Sequence, residues 1–311
     1  MTITQLIYVL AVAEHKNFTK AAQKTFVTQP TLSMQIQKLE EQLDILIFDR
    51  SKKPIELTSI GKKIVKQAKN IVSESERMQD IVDQEKGFVG GEFRIGIIPT
   101  IMPTLLPMFL KAFTNRYPKV NLKIEELSTE EIIHRLKDGN LDAAIAATPL
   151  ENEDIKERVL YYEPFIGYVP ADHRLYSKIK LTTSDLEIND ILLLTDGHCF
   201  REQSLNLCKA TQSAIKDKFQ LESGSFETLI KLSDEGLGMT LLPYLHSLDL
   251  PEDQLTNLKN FEDPVPAREV ALIYNKTELK LQIINAMYDL ISGIIKGAIA
   301  YQDFKIISPR K

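Results

Sequence analysis

Sulfur is scarce in this chain: two cysteines among 311 residues are too few for a disulfide scaffold, so the fold must rest on apolar cores. Long apolar runs are also missing. No stretch reaches the ~18 uncharged apolar residues of a membrane span, and the apolar stretch 291–299 is interrupted by Lys296. The first six residues have no basic segment leading into an apolar run, so no secretory signal is read there. These absences lead us to expect a cytoplasmic, reducing location, no membrane association and no permanent cross-link. A zinc site built on His198 and Cys199 lacks the further cysteine or spaced histidine pair it needs, and neither metal nor cofactor is expected. What remains is 43% hydrophobic and 26% charged, the balance of a globular protein, with length enough for two domains.

The net charge of −5 is unevenly spread, +5 over the first 70 residues and −10 over the rest. That asymmetry suits a nucleic-acid-binding head on an acidic body, although charge blocks are also simply solvated faces. Residues 4–14 read as an amphipathic helix with Leu6, Leu10 and Ala13 on one face and Val9 beside them. Thr19 is placed as the N-cap of a second helix, in which Ala21 and Ala22 permit close approach. Thr28 starts a third helix, whose Leu32, Ile36, Leu39 and Leu43 recur at helical spacing. Pro30 falls in its first turn, where a missing N–H costs nothing.

Two short helices joined by about three residues make a helix-turn-helix pattern. The exposed face of the third helix offers Gln29, Thr31, Ser33, Gln35 and Lys38, groups that reach base edges and phosphates. Residues 48–58 read as two short strands around a basic turn, a wing placing Arg50, Lys52 and Lys53 against a DNA backbone. A small helical subdomain with a polar surface fits the same pattern. From residue 60 to 84 only Gly61 interrupts the helix formers. Ile64, Ala68, Ile71, Ser75, Met78 and Val82 step by fours and threes, a coiled-coil-like seam. About 25 residues span ~37 Å, which fits a dimerising linker or a single-copy surface helix. Gly87, Gly90 and Gly91 end it.

Beyond the glycines strands and helices alternate, which predicts an α/β body with a mostly parallel sheet. Strands are read at 92–99, 119–127, 141–147, 165–170, 191–194 and 269–274, and helices at 105–116, 129–137, 226–234 and 278–295. Ligands in open α/β sheets sit beyond the carboxyl ends of strands. Thr100 and Thr129 follow the first two strands and would share one crevice, unless they are merely helix N-caps. Both cysteines lie in residues 196–208. His198 and Arg201, if protonated and near, favour a Cys199 thiolate, as does the helix N-terminus expected after Gly197. On one helix, nine residues separate Cys199 from Cys208 by ~13 Å, whereas a disulfide tolerates Cα atoms up to about 7 Å apart. Either the two are unrelated buried thiols acting as small hydrophobes, or they pair only through local unfolding.

The run from Phe18 through Ala21, Ala22, Val27, Gln29 and Pro30 to Leu43, with Phe48, Asp49, Arg50, Leu57, Thr58 and Gly61, resembles the LysR-type transcriptional regulators without a gap over residues 1–61. By position Gln29, Pro30, Thr31, Ser33 and Gln35 fall on the recognition helix, and Met34 stands where many members carry Arg or another polar residue. The resemblance implies a winged helix-turn-helix domain over 1–58, a linker or dimerisation helix over 59–87, and a regulatory domain over 88–311. That domain would hold two α/β subdomains, about 91–162 with 267–300 and about 163–266, like a periplasmic solute-binding protein with an effector cleft.

Residues 196–203 with Cys208, Ile98, Pro99, Thr100 and Thr129 resemble the peroxide-sensing members of that family. There a peroxidatic cysteine is oxidised and captured by a resolving one, roles that fall by position on Cys199 and Cys208. Thr100, Thr129 and His198 match residues around the peroxide, with Arg201 and Glu202 alongside; Glu202 replaces an expected Asp. The implied partners are double-stranded promoter DNA, hydrogen peroxide, further copies of the chain (a dimer through the linker helix, then a tetramer), RNA polymerase, and a glutaredoxin or thioredoxin reductant. The implied role is a regulator, not an enzyme. Competing readings are a regulator with a metabolite in its cleft, a thiol peroxidase carrying a DNA-binding head, and a free solute-binding protein, which the missing export signal disfavours.

Overall fold

The computed structural model describes residues 1–85, 89–208, 223–299 and 304–309, in two units, Met1–Gly87 and Phe88–Lys311. In the first unit α1 (Ile3–His15) is capped by Thr2, whose side chain accepts from the Gln5 amide. Its buried face is Leu6, Val9 and Val12, while Leu10 and Ala13 only flank the core. The apolar stripe is thus rotated from the expected one. Helix α2 (Phe18–Lys24) starts one residue before Thr19, because the Asn17 side chain accepts from the Lys20 amide and serves as the cap. Thr28 caps α3 (Gln29–Leu43), which buries Leu32, Ile36 and Leu39 completely. Strands β1 (Phe48–Asp49) and β2 (Glu56–Leu57) pair antiparallel as the wing.

The long helix α4 (Ser59–Glu85) departs from a free seam. Ala68 and Val72 are buried in the head's own core, and Ile64 and Ile71 pack against it. Farther along, the apolar side chains of Met78, Ile81 and Val82 stand open. Gly61 is required where α4 begins, since a Cβ there would lie 2.0 Å from the Ile47 carbonyl oxygen.

Phe26, in the turn before α3, is 95% exposed and has φ 57. A bulky residue in left-handed backbone stores about 1–2 kcal/mol of strain, and nothing within the unit offsets it by burial. Phe26→Asn, a residue that tolerates this conformation, is expected to stabilise the protein by about 0.5–1 kcal/mol, read as a higher urea midpoint. An unchanged midpoint would mean that the backbone is unstrained.

In the second unit β3 (Gly91–Ile97), α5 (Met102–Arg116), β4 (Val120–Glu126), α6 (Thr129–Lys137) and β5 (Ala143–Thr148) follow the expected alternation. Strand β6 (Ile155–Tyr168) then crosses to a second core. That half holds β7 (Lys180–Leu181), β8 (Ile191–Leu192), α7 (Cys199–Leu207), α8 (Phe226–Asp234), β9 (Met239–Pro243) and β10 (Leu258–Phe261), while α9 (Tyr244–Ser247) packs Leu245 into the first core. Strand β11 (Val265–Asn275) returns to the first core, which α10 (Leu281–Ile295) closes; β12 (Phe304–Ile306) comes last.

The sheet is parallel through β4–β3–β5, but β5–β11 and β11–β6 are antiparallel. A mostly parallel sheet is therefore corrected to a mixed one. The chain leaves the first core on β6 and comes back beside it on β11, and adjacent out-and-back strands must run oppositely. Phe93, Ile95, Ile145 and Leu272 lie in one core, with Phe165, Phe200, Leu229 and Leu241 in the other. Among the described residues no helix is long and apolar enough to cross a membrane.

Candidate functional site

Three segments converge on a cavity of about 160 Å³ lined by Thr100, Ser128, Thr129, Asp196, His198 and Cys199, with backbone at 98–99 and Gly197. Thr100 follows β3, and Thr129 is the first residue of α6. Neither is a helix N-cap: Ile101 holds that position in α5 and Ser128, boxed with Glu131, holds it in α6. Neither hydroxyl is spent on a cap, and both threonines line the cavity beside Cys199, where they favour its anion. Gly197 turns the chain at φ 89, a conformation glycine adopts without strain, and Cys199 opens α7 with the Phe200 amide directed at its sulfur.

Electrostatically the site differs from the expected pair of cations beside the thiol. Burial holds the His198 imidazole below its usual range, so it is neutral and cannot act as a cation. Arg201 turns away, salt-bridged to Asp196 at 2.8 Å and donating to the Leu194 carbonyl at 2.9 Å. It pins the turn that presents His198 and does not line the cavity. Glu202, half-buried in the first turn of α7, lies outside the lining as well.

The cation facing Cys199 is Arg268, which the sequence reading missed. It is 1% exposed and donates to Thr100 Oγ1 at 2.9 Å and to the Thr100 carbonyl at 3.1 Å. Its Nε and Nη2 meet Glu163 Oε2 at 2.8 and 2.7 Å, and the two residues are direct partners across the β6–β11 ladder. The other Glu163 oxygen accepts the Leu245 amide at 2.9 Å. Burial pushes the Cys199 thiol up, against the pull of Arg268, both threonine hydroxyls and the Phe200 amide. Burial thus opposes the thiolate that the surrounding groups favour, and those groups stand ready to stabilise the anion once the proton leaves.

Cys208 is the C-cap of α7, half-buried against the second core, its thiol pushed up to about 12 by burial. Both cysteines are free. They stand at opposite ends of one helix, so the ~13 Å separation applies. Residue 209, just beyond it, lies outside the described residues.

On the first unit's recognition helix Gln29, Pro30, Thr31 and Lys38 are exposed. Gln35 is half-buried and accepts from Gln5 Nε2 at 3.2 Å. Lys52 and Lys53 are exposed on the wing, Lys52 within 3.9 Å of Glu56. Arg50 is less free than the sequence implied. Its guanidinium meets the buried Glu40 at 2.9 Å, donates to Ser33 Oγ at 3.3 Å and lies over the Phe18 ring. Glu40 also accepts the Ile47 and Phe48 amides, so wing and recognition helix are joined through one carboxylate.

Against known proteins, the pattern for bacterial regulatory helix-turn-helix proteins of the lysR family matches residues 3–62, and that for the LysR substrate binding domain matches residues 86–293. The chain belongs to the LysR family of bacterial transcriptional regulators. Within that family it is similar along most of its length to the OxyR proteins. It is 34% identical to a hydrogen peroxide-inducible genes activator of Dickeya chrysanthemi, over 88% of this chain and 89% of that one. A full-length OxyR from Pseudomonas aeruginosa, solved as a cysteine-to-aspartate variant, matches with a TM-score of 0.75 and 33% identity over 94% of this chain and 98% of its own. A Corynebacterium glutamicum OxyR cysteine-to-serine variant, solved with hydrogen peroxide bound, matches with a TM-score of 0.64 and 28% identity over 98% of both chains.

Proposed function

We propose that this chain is a hydrogen peroxide-sensing transcriptional regulator in which Cys199 is the peroxidatic and Cys208 the resolving cysteine. The observation that carries the reading is Cys199 at a helix N-terminus, with Thr100 and Thr129 beside it in a small cavity and Arg268 behind it. In the first step the Cys199 proton leaves, Sγ attacks one peroxide oxygen, and the O–O bond breaks. The departing hydroxide takes a proton and leaves as water, and the sulfur becomes a sulfenic acid. Thr100 and Thr129 are placed to hold the peroxide and stabilise charge on the leaving oxygen, with neutral His198 as a further polar wall. In the second step the Cys208 sulfur displaces the sulfenic oxygen as a second water, forming the disulfide. Distance and burial both hold Cys208 out of reach until α7 unwinds, so the chemistry compels a change of shape.

The exposed Gln29, Pro30, Thr31 and Lys38, with the half-buried Ser33 and Gln35, face the major groove of promoter DNA; Lys52, Lys53 and the partly committed Arg50 take the phosphates. Dimerisation runs through the open Met78, Ile81 and Val82 of α4, and a tetramer of such dimers carries the refolding to the spacing of the heads. The protein works in the cytoplasm, where a glutaredoxin or thioredoxin reductant resets the pair and RNA polymerase reads the outcome.

The test is peptide mapping of the reduced protein after about one equivalent of hydrogen peroxide, without reductant. The expected result is a peptide pair joined through Cys199 and Cys208. Two free cysteines, or Cys199 over-oxidised alone, would overturn the thiol switch in favour of a metabolite in the same cavity.

A further inference from the structure

The stretch between the two cysteines is tied to the far end of the chain. Gln203, fully buried on α7, donates from Nε2 to the Ile307 carbonyl at 2.8 Å. Asn206, three residues on, donates from Nδ2 to the Ser308 carbonyl at 3.0 Å. That spacing puts both donors on one face of the helix. The acceptors belong to a tail anchored at a second place: the Ile307 amide donates to the Ala267 carbonyl at 2.8 Å, and Phe304, Lys305 and Ile306 pair parallel with Val265, Pro266 and Ala267 on β11. Ile307 is 7% exposed, its side chain in the second core. The tail therefore joins the turn of α7 midway between the thiols to the strand residue next to Arg268.

We propose that residues 304–309 form a latch on the reduced redox helix, and that Gln203 and Asn206 are positioning residues setting how readily the Cys199–Cys208 disulfide closes. The inference rests on the disulfide reading above and adds a regulatory element to it. Closing the disulfide brings two Cα atoms from ~13 Å to within about 7 Å. The turn carrying Gln203 and Asn206 cannot keep its helical geometry between ends drawn that close, and their bonds to the tail break. A contact present only in the reduced form holds the pair open, and by linkage oxidation must loosen the tail to the same degree that the tail opposes oxidation. The two bonds together amount to roughly a tenfold change in the equilibrium constant.

The experiment equilibrates full-length protein with glutathione buffers, in which two thiols and one oxidised glutathione give the disulfide and two reduced glutathiones, and measures the disulfide fraction by alkylation and mass spectrometry. Two variants are compared with the unsubstituted chain: one ending after Asp303, and the double substitution Gln203→Leu with Asn206→Leu. The disulfide equilibrium constant is expected to rise about tenfold in each. In the unsubstituted protein, hydrogen exchange at Ile307 is expected to quicken at least tenfold on oxidation while β3 and β5 do not change. The exchange arm needs no variant and stands even where truncation impairs folding. A disulfide that forms with Ile307 exchange unaltered, or variants within twofold of the parent constant, overturns the latch alone. No Cys199–Cys208 disulfide at any glutathione ratio overturns the disulfide reading, and the latch with it.

Discussion

Cys199→Ser is expected to leave the promoter footprint unmoved by hydrogen peroxide, a complete loss of response, with DNA affinity in the reduced state retained. A serine hydroxyl is nearly the size of the thiol and polar enough to sit beside Thr100 and Thr129 but has no sulfur to oxidise, so the substitution removes the chemistry and preserves the packing. Cys208→Ser separates the two steps. Its Cys199 still takes up one oxygen and stops at the sulfenic acid, because no second sulfur displaces it. Footprinting of both variants before and after peroxide, alongside intact mass, checks the pair. A Cys208→Ser protein with the parent's footprint shift would show that sulfenic acid alone drives the change, and that α7 need not be closed by a disulfide. A Cys199→Ser protein that answers a small molecule in the cavity and ignores peroxide would assign the site to a metabolite.

The parts of this arrangement that were legible in the sequence are those with local signals. Thr28 and Pro30 mark the start of α3 because a cap and an N-terminal proline act within one turn. Helices at 129–137 and 226–234 were read to the residue from their apolar spacing. That Thr100 and Thr129 share one crevice was one of two readings their place after strand ends allowed, the other being helix N-caps, which local pattern alone does not separate. What escaped is non-local. Residues 155–164 of β6 were missed because Lys156, Glu157 and Arg158 look like a solvated connection, though the ladder to β11 orders them. Ala68 and Ile64 fit a dimer seam equally well as the intramolecular packing they make, since periodicity names a buried face and not its partner. The cations were assigned by sequence adjacency, and His198 and Arg201 are adjacent to Cys199 while pointing elsewhere or losing charge. Arg268 stands 69 residues beyond Cys199 in the chain. One signal for it lies in the sequence: Glu163 follows the apolar run 159–162 and Arg268 the apolar run 264–267, opposite charges where a buried charge left unpaired is too costly to keep.

That buried pair gives the largest stability effect expected of any single substitution here. Arg268→Met leaves the Glu163 carboxylate 1% exposed without its cation, a loss of about 3–5 kcal/mol, read as a fall in urea midpoint. It also removes the donor to Thr100 Oγ1 and the main pull opposing burial at Cys199. The sign at the thiol follows directly. Burial already favours the protonated form, so losing the guanidinium raises the thiol further and lowers the thiolate fraction at neutral pH, about tenfold for each unit of rise. Alkylation of Cys199 and its reaction with peroxide slow together, and the pH–rate profile moves to higher pH. Adding Glu163→Gln separates the two effects. The amide oxygen still accepts the Leu245 amide, the buried charge is gone, and much of the lost stability returns, because removing both members of a buried ion pair is far cheaper than removing one. Thiol reactivity does not return, since glutamine restores no positive charge beside Cys199. A double variant that recovers both would reduce Arg268 to a structural strut between β6 and β11. One that recovers stability alone makes the same guanidinium both the fastening of the crossover strands and the electrostatic support of the reacting sulfur, so that the place where the two subdomains are joined is also the place where peroxide is read.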